Sequence, residues 1–193
     1  MALPGYDKSK RRRSTGFEKL PKDAYVLKIL NVKEEANKSG NGTHLTISFD
    51  IAEGDYKDFY LEQYNNDDRE DKVWPYDARY YLTVPADNSA QYVHDNWNTF
   101  FADLEDSNEG FVFKGSLDTL KGKIIGGKFN IEQTEYNGNV YDHTRLKWTC
   151  LADDVRNDKA GKLPNDKMIA ARPTAPDDFI NIPDSIEEEA PFI

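Results

Sequence analysis

His44-Leu45-Thr46-Ile47-Ser48-Phe49-Asp50-Ile51 alternates without a break: Leu45, Ile47, Phe49 and Ile51 share one parity, and His44, Thr46, Ser48 and Asp50 the other. Successive side chains of a strand point to opposite faces, so the stretch predicts a strand with one packed and one wet face. On its N-terminal side, Tyr25-Val26-Leu27-Lys28-Ile29-Leu30-Asn31-Val32 is rich in β-formers. Asn37-Lys38-Ser39-Gly40-Asn41-Gly42 then supplies turn chemistry between the two runs, which predicts a hairpin. On the C-terminal side, after Gly54-Asp55, Phe59 and Leu61 alternate with Tyr60, Glu62 and Tyr64. That alternation predicts a third strand with its phenol groups outward. Residues 65–77 read as a long polar loop carrying Asp67, Asp68, Glu70 and Asp71 and then Val73-Trp74-Pro75-Tyr76, with a short strand over 79–84 inside the same insertion.

Beyond Pro85 the period changes. Ala90, Val93, Trp97, Phe100, Phe101 and Leu104 fall at helical spacing, with Ser89 or Asn88 as the cap, and predict an amphipathic helix. A fourth strand is expected over Ile124–Tyr136 and a fifth over Asn139–Leu151, joined by Asn137-Gly138, a strong two-residue hairpin signal. In the fifth, Val140, Leu146, Trp148 and Cys150 take the packed parity, and Tyr141, His143, Arg145 and Lys147 the open one. Strand, strand, strand, helix, strand, strand is the chain order of a five-stranded OB-type barrel, so the expected class is mainly β, one such barrel with a helix between strands three and four. Three segments follow: a flexible basic arm over 1–16, the barrel domain over 17–153, and a disordered acidic tail over 154–193.

Composition narrows the chemistry. The 193 residues suffice for one domain with tails, and neither an apolar signal region nor a membrane-length apolar run is visible, so a soluble intracellular protein is expected. Cys150 is the only cysteine, which rules out an internal disulfide and any site built on two thiolates. His44, His94 and His143 sit in no spaced metal motif, and no nucleophile elbow, phosphate loop or dinucleotide fingerprint occurs. We therefore expect neither catalysis nor a cofactor or metal. The formal net charge of −10 argues against a polyanion ligand at first sight, but the six acids from Asp177 onward, with no base among them, account for all but −4 of it.

Single-stranded nucleic acid needs cations for phosphate and flat rings for bases, and interleaved Tyr, Arg and Lys meet both needs. The candidate contacts are Lys38 in the first turn, outward Tyr60 and Tyr64, Tyr136 at the last hairpin, and the stripe Tyr141, His143, Arg145 and Lys147. Trp74, Tyr76, Arg79 and Tyr81 of the insertion either form a flap over the strand or pack on one another. Lys10, Arg11, Arg12 and Arg13 could add phosphate contacts from the arm. At the other end, Asp184, Glu187, Glu188 and Glu189 lead to Pro191-Phe192-Ile193, an anionic leash with an apolar tip suited to a partner pocket ringed by Arg or Lys.

Lys38-Ser39-Gly40-Asn41, Phe49-Asp50-Ile51-Ala52-Glu53-Gly54-Asp55-Tyr56-Lys57, Leu120-Lys121-Gly122-Lys123 and Tyr136-Asn137-Gly138-Asn139 carry a likeness. From about Phe17 to Asp153 the chain resembles the single-stranded-DNA-binding proteins of bacteriophages and mobile elements of Gram-positive bacteria. Its acidic end is similar to the tip of bacterial single-stranded-DNA-binding proteins, here with Ile193 after Phe192. The resemblance implies coating of exposed strand in phage or mobile-element replication and recombination, and recruitment of replication or recombination proteins by the tail. It also implies residence in a bacterial host's cytoplasm. The competing expectations are a protein-interaction or DNA-mimic inhibitor module, favoured by the net charge, and a metal-dependent nuclease.

Overall fold

The alternation at 44–51 is realised as β2 (Thr43–Ile51), which pairs antiparallel with β1 (Ala24–Ala36) on one side and β3 (Arg79–Thr83) on the other. β1 also pairs with β4 (Ile124–Tyr136), and β4 with β5 (Asn139–Cys150), both antiparallel. The fold is known from a computed structural model, which describes residues 19–40 and 42–169. It is mainly β: one five-stranded antiparallel sheet in the order β3-β2-β1-β4-β5, with α1 (Phe59–Asn65), α2 (Gln91–Asp106) and α3 (Ala152–Arg156) around it. Among the described residues no ladder joins β3 to β5, and no helix is long and apolar enough to cross a membrane.

Leu27 and Ile29 of β1, the packed parity of β2, Leu82, Ile125, Phe129 and Leu146 are buried in one core. Tyr25, Phe129, Phe49 and Tyr60 form a chain of edge-to-face rings 5.4 to 5.9 Å apart, the geometry that aromatic quadrupoles prefer. α2 forms where the period predicts it and buries Phe100, Phe101 and Leu104. Its expected caps do not act, since the Ser89 hydroxyl accepts instead from the Ala86 N–H at 2.9 Å. Asn137 and Gly138 both take positive φ, 50° and 77°, the two-residue turn whose twist matches that of the flanking strands. Gly127 is required by packing: a Cβ there would stand 2.6 Å from methyls of Leu27 and Leu146.

Three expectations need correction. Residues 59–64 are not a strand but α1, in which positions 59, 60, 63 and 64 are buried or half-buried, the spacing of one helical face. The carboxylate of Asp50 settles it. It accepts N–H bonds from Tyr60 (2.9 Å), Leu61 (3.0 Å) and its neighbour Ile51 (2.8 Å), and so satisfies donors that the first helical turn leaves open. The third strand is therefore the one assigned to the insertion, and the chain order becomes strand, strand, helix, strand, helix, strand, strand.

The second correction concerns the fifth strand. Lys128 pairs with Trp148 but Phe129 with Leu146, so Lys147 is an extra residue in a bulge. Parity shifts there, and Trp148 is exposed rather than packed; Val140, near the hairpin tip, is exposed too. The third concerns the chain after Asp153, which is ordered through Ile169. β1 covers only Ile124 to Lys128 of the long β4, which would leave an open edge beyond. Lys167 fills that edge, accepting from the Gln133 N–H at 2.9 Å and donating to the Ile131 carbonyl at 2.8 Å. Asp166 accepts from the Ile131 N–H and from Lys22, at 2.9 and 2.8 Å, while Arg156 forks onto Glu53 at 2.6 and 3.0 Å. Edge satisfaction, together with the full burial of Pro164, holds this segment.

Candidate nucleic-acid interface

The outward parity of β2 and β3 makes cross-strand pairs of Thr46 with Tyr81, Ser48 with Arg79, and His44 with Thr83. Tyr76 sits in the 3-10 turn Tyr76–Ala78 that opens into β3. From there its ring lies 6.1 Å from that of Tyr81, which in turn lies 5.5 Å from the His44 ring. Tyr76 and Tyr81 are 54% and 41% exposed, so both offer faces to a ligand. Arg145 crosses from β5 to place its guanidinium 4.5 Å from the centre of the Tyr76 ring, with Arg79 at 5.8 Å.

The two phenols are electrostatically linked. The hydrogen bond from Tyr81, then that from Arg145, and the charges of Arg145 and Lys38 hold the Tyr76 hydroxyl below its ordinary pKa. Tyr81 goes the other way, raised by burial first and then by that same bond. Lys38 thus acts on Tyr76 from the first turn by its charge alone. Tyr76, Arg79, Tyr81 and Arg145 form one cluster, to which His143 is joined through Asp77.

Side chains link the turn before β3 to β5. Both Asp77 carboxylate oxygens lie 3.1 Å from His143 Nδ1, and one lies 3.5 Å from Arg145 Nε. His143 Nε2 is 3.0 Å from the Thr134 hydroxyl. A neutral ring protonated at Nδ1 satisfies both contacts, donating to Asp77 and accepting from Thr134. Lys147, its side chain half exposed, stands 3.9 Å from Glu132. The stripe is thus not purely cationic, because Asp77 and Glu132 reach into it from other elements.

The other expected contacts lie elsewhere. Tyr60 is 1% exposed and belongs to the core rather than to the outward face. Tyr64 and Trp74 face each other at 5.7 Å with Lys72 over Tyr64 at 4.6 Å, and Trp74 Nε1 donates to the Phe49 carbonyl at 3.2 Å. These two pack the loop on itself, as the simpler expectation had it. Tyr136 and Tyr141 are exposed on the β4–β5 arm, away from the Tyr76 cluster except through His143. Lys10 to Arg13 and the tail residues from Asp184 to Ile193 lie outside the described residues.

Sequence reasoning missed Asp77, His44 and Trp148. Asp77 follows Pro75-Tyr76, and its adjacency to a ring already singled out was the signal available. Among the described residues no three His, Cys, Asp or Glu side chains converge as metal ligands. Cys150 is buried, and burial pushes its thiol up to about 11, out of the range of a reactive thiolate. Compared with known families and with curated proteins, the chain matches no family model and no curated sequence.

Proposed function

We propose that this chain is a non-enzymatic, sequence-tolerant binder of single-stranded DNA whose five strands form an OB-type barrel, with β3 and β5 meeting across the Asp77 seam. The observation that carries the reading is the pair of exposed rings, Tyr76 and Tyr81, set beside Arg145, Arg79 and Lys38. Rings stack on bases of any sequence, and the neighbouring cations take the phosphates. An OB barrel binds on this same region, the faces of strands two and three with the first and last hairpin loops. The likeness to phage and mobile-element proteins adds the setting: coating of exposed strand in replication or recombination, in the cytoplasm of a bacterial host. The acidic tail with its Pro191-Phe192-Ile193 tip then recruits replication or recombination proteins.

The second reading is a protein-interaction or DNA-mimic module, favoured by Asp77 and Glu132 within the stripe. Titration of a labelled oligo-dT at rising salt separates the two. Binding that is tight at low salt and falls steeply with salt is expected, since phosphate neutralisation releases counterions. No binding at low salt refutes the DNA reading.

A further inference from the structure

A cavity of about 260 Å³ opens at the seam, its wall including Phe59, Tyr60, Asp77, Tyr141, Asp142 and His143. Drug-sized ligand pockets run from roughly 300 to 1,000 Å³, so this one suits a single planar ring system rather than a whole nucleotide. Asp77 and His143 belong both to its wall and to the interface described above, which places the cavity beside the path of a bound strand. Its character differs from that of the interface. Two carboxylates line it, and carboxylates only accept hydrogen bonds; Lys19, the single ammonium in the wall, lies 3.6 Å from Asp142.

The hydroxyl of Tyr60 is the second observation. The ring is held edge-on between Phe49 and Phe59, at 5.9 and 5.2 Å, and a phenylalanine would pack there equally well. Its oxygen is buried and has no hydrogen-bond partner, a rare condition that costs stability with no return in packing. Burial, and then the charge of Asp77, push its pKa up, so it stays a neutral O–H donor. A guest that inserts a polar edge into the cavity supplies the missing partner.

We propose that the cavity takes one unstacked guanine of the bound strand, with its Watson–Crick edge toward Asp77 and Tyr60 and its ring plane beside Tyr141. The inference rests on the single-stranded-DNA reading. Guanine alone presents two adjacent donors, N1–H and the 2-amino group, next to an acceptor, O6. Two donors meet the Asp77 carboxylate, which keeps acceptor capacity beyond its contact with His143, and O6 accepts from the Tyr60 hydroxyl. Thymine offers one donor between two acceptors, and cytosine one amino group beside two acceptors, so each would set acceptors against a carboxylate. Reading a splayed base on its Watson–Crick edge beside an aromatic ring is the usual way of recognising unpaired strands.

The test is a fluorescence titration of the full chain with labelled oligo-dT and with the same strand carrying one central dG, for the wild type and Tyr60→Phe. The dG strand should bind the wild type at least threefold tighter than oligo-dT. Tyr60→Phe should leave oligo-dT affinity unchanged and remove that difference. Because it deletes only a hydroxyl without a partner, it should melt no lower than the wild type. Asp77→Asn, which replaces one acceptor oxygen by a donor, should also lower the dG preference. Equal affinity of the two strands for the wild type overturns the proposal, as does a preference that survives Tyr60→Phe. Absence of any oligo-dT binding refutes the DNA reading and the guanine site with it, whereas oligo-dT binding without a dG preference refutes the site alone. If an arginine-containing peptide binds the wild type and is lost in Tyr60→Phe while both strands bind alike, the cavity serves a protein partner and the base reading falls.

Discussion

Replacing Arg145 by alanine removes the nearer of the two guanidinium groups over the exposed Tyr76 ring, 4.5 Å from its centre against 5.8 Å for Arg79. Two losses follow. A guanidinium over a ring is worth about 0.5–1 kcal/mol at an exposed site, and with the ring no longer held, its stacking on a base weakens as well. Losing one phosphate contact lowers the slope of log affinity against log salt by about 0.7 for single strands. Across a fourfold rise in salt that slope amounts to a factor of about 2.6 per contact. Together these predict a loss of about 1–2 kcal/mol, that is about 5- to 30-fold in Kd, with a visibly shallower salt dependence. Oligo-dT titrations at four or five salt concentrations read both quantities at once. Arg145→Lys separates them, because an ammonium keeps the charge and the slope but loses the planar stacking. The side chain is half-buried against Asp77, so circular dichroism must show that the variants melt as the wild type does. An Arg145→Ala protein that is folded and binds with unchanged affinity and unchanged slope refutes the placement of the interface.

Asp50→Ala should cost about 2–4 kcal/mol in urea unfolding, because it leaves two backbone N–H groups at the start of α1 and that of Ile51 at the end of β2 without their acceptor, and a buried orphan donor costs about 1–3 kcal/mol. Asp50→Asn, which keeps one acceptor oxygen, should lose less, and an unchanged midpoint for the alanine variant would show that the helix is held by packing alone. Acid should release the C-terminal strap before the sheet. The Lys22 contact and the Ile131 N–H hold Asp166 below the ordinary carboxylate value, and Arg156 does the same for Glu53. Groups depressed in this way contribute fully above the unfolded value of about 4 and lose that contribution as pH falls through their lower folded values. Hydrogen exchange corrected for intrinsic rates should therefore show Gln133 and Lys167 amides losing protection below about pH 4 while β1–β2 amides keep theirs; simultaneous loss would contradict the strap.

Long periodic elements were legible. β2, α2 and the β4–β5 hairpin each offer enough residues for one period to exclude the other, and Asn137-Gly138 names its own turn. Residues 59–64 are too few: alternation at Phe59 and Leu61 and a helical face at Phe59, Tyr60, Gln63 and Tyr64 fit equally well. What decides between them is a carboxylate nine residues before Phe59, in the preceding strand, and no local pattern records that contact. Trp148 was misplaced because a bulge at Lys147 moves it to the other face, and a bulge has no signature in alternation. The order of 154–169 escaped for a related reason. It comes from backbone donors and acceptors at a β4 edge that β1 is too short to cover, a length mismatch visible only once the register is known. The site was half legible. Rings and cations could be named from outward parity, but Asp77 meets His143 across 66 residues, and the acids that temper the stripe come from a turn and a neighbouring strand.

Asp77 sets an anion within the proposed phosphate-binding face, and magnitudes decide whether it blocks binding. Its contact with Arg145 is 3.5 Å long and both side chains are partly exposed, at 22% and 31%. A single, long contact of this kind lies at the weak end of ion pairs, about 1 kcal/mol. A hydrogen bond to a charged group contributes about 1.5–3 kcal/mol, so a phosphate that reaches the guanidinium outcompetes Asp77 for it. The exchange does not strand the carboxylate, because His143 remains at 3.1 Å and the cavity lies open beside it. The ring chain from Tyr25 through Phe129 and Phe49 to Tyr60 packs the core without using the Asp77–Arg145 contact. A seam closed by a backbone ladder would instead have to break hydrogen bonds to free a cation. Bridged by side chains, it leaves Arg145 over Tyr76, and in the proposed complex its contact with Asp77 would yield to a phosphate at little cost.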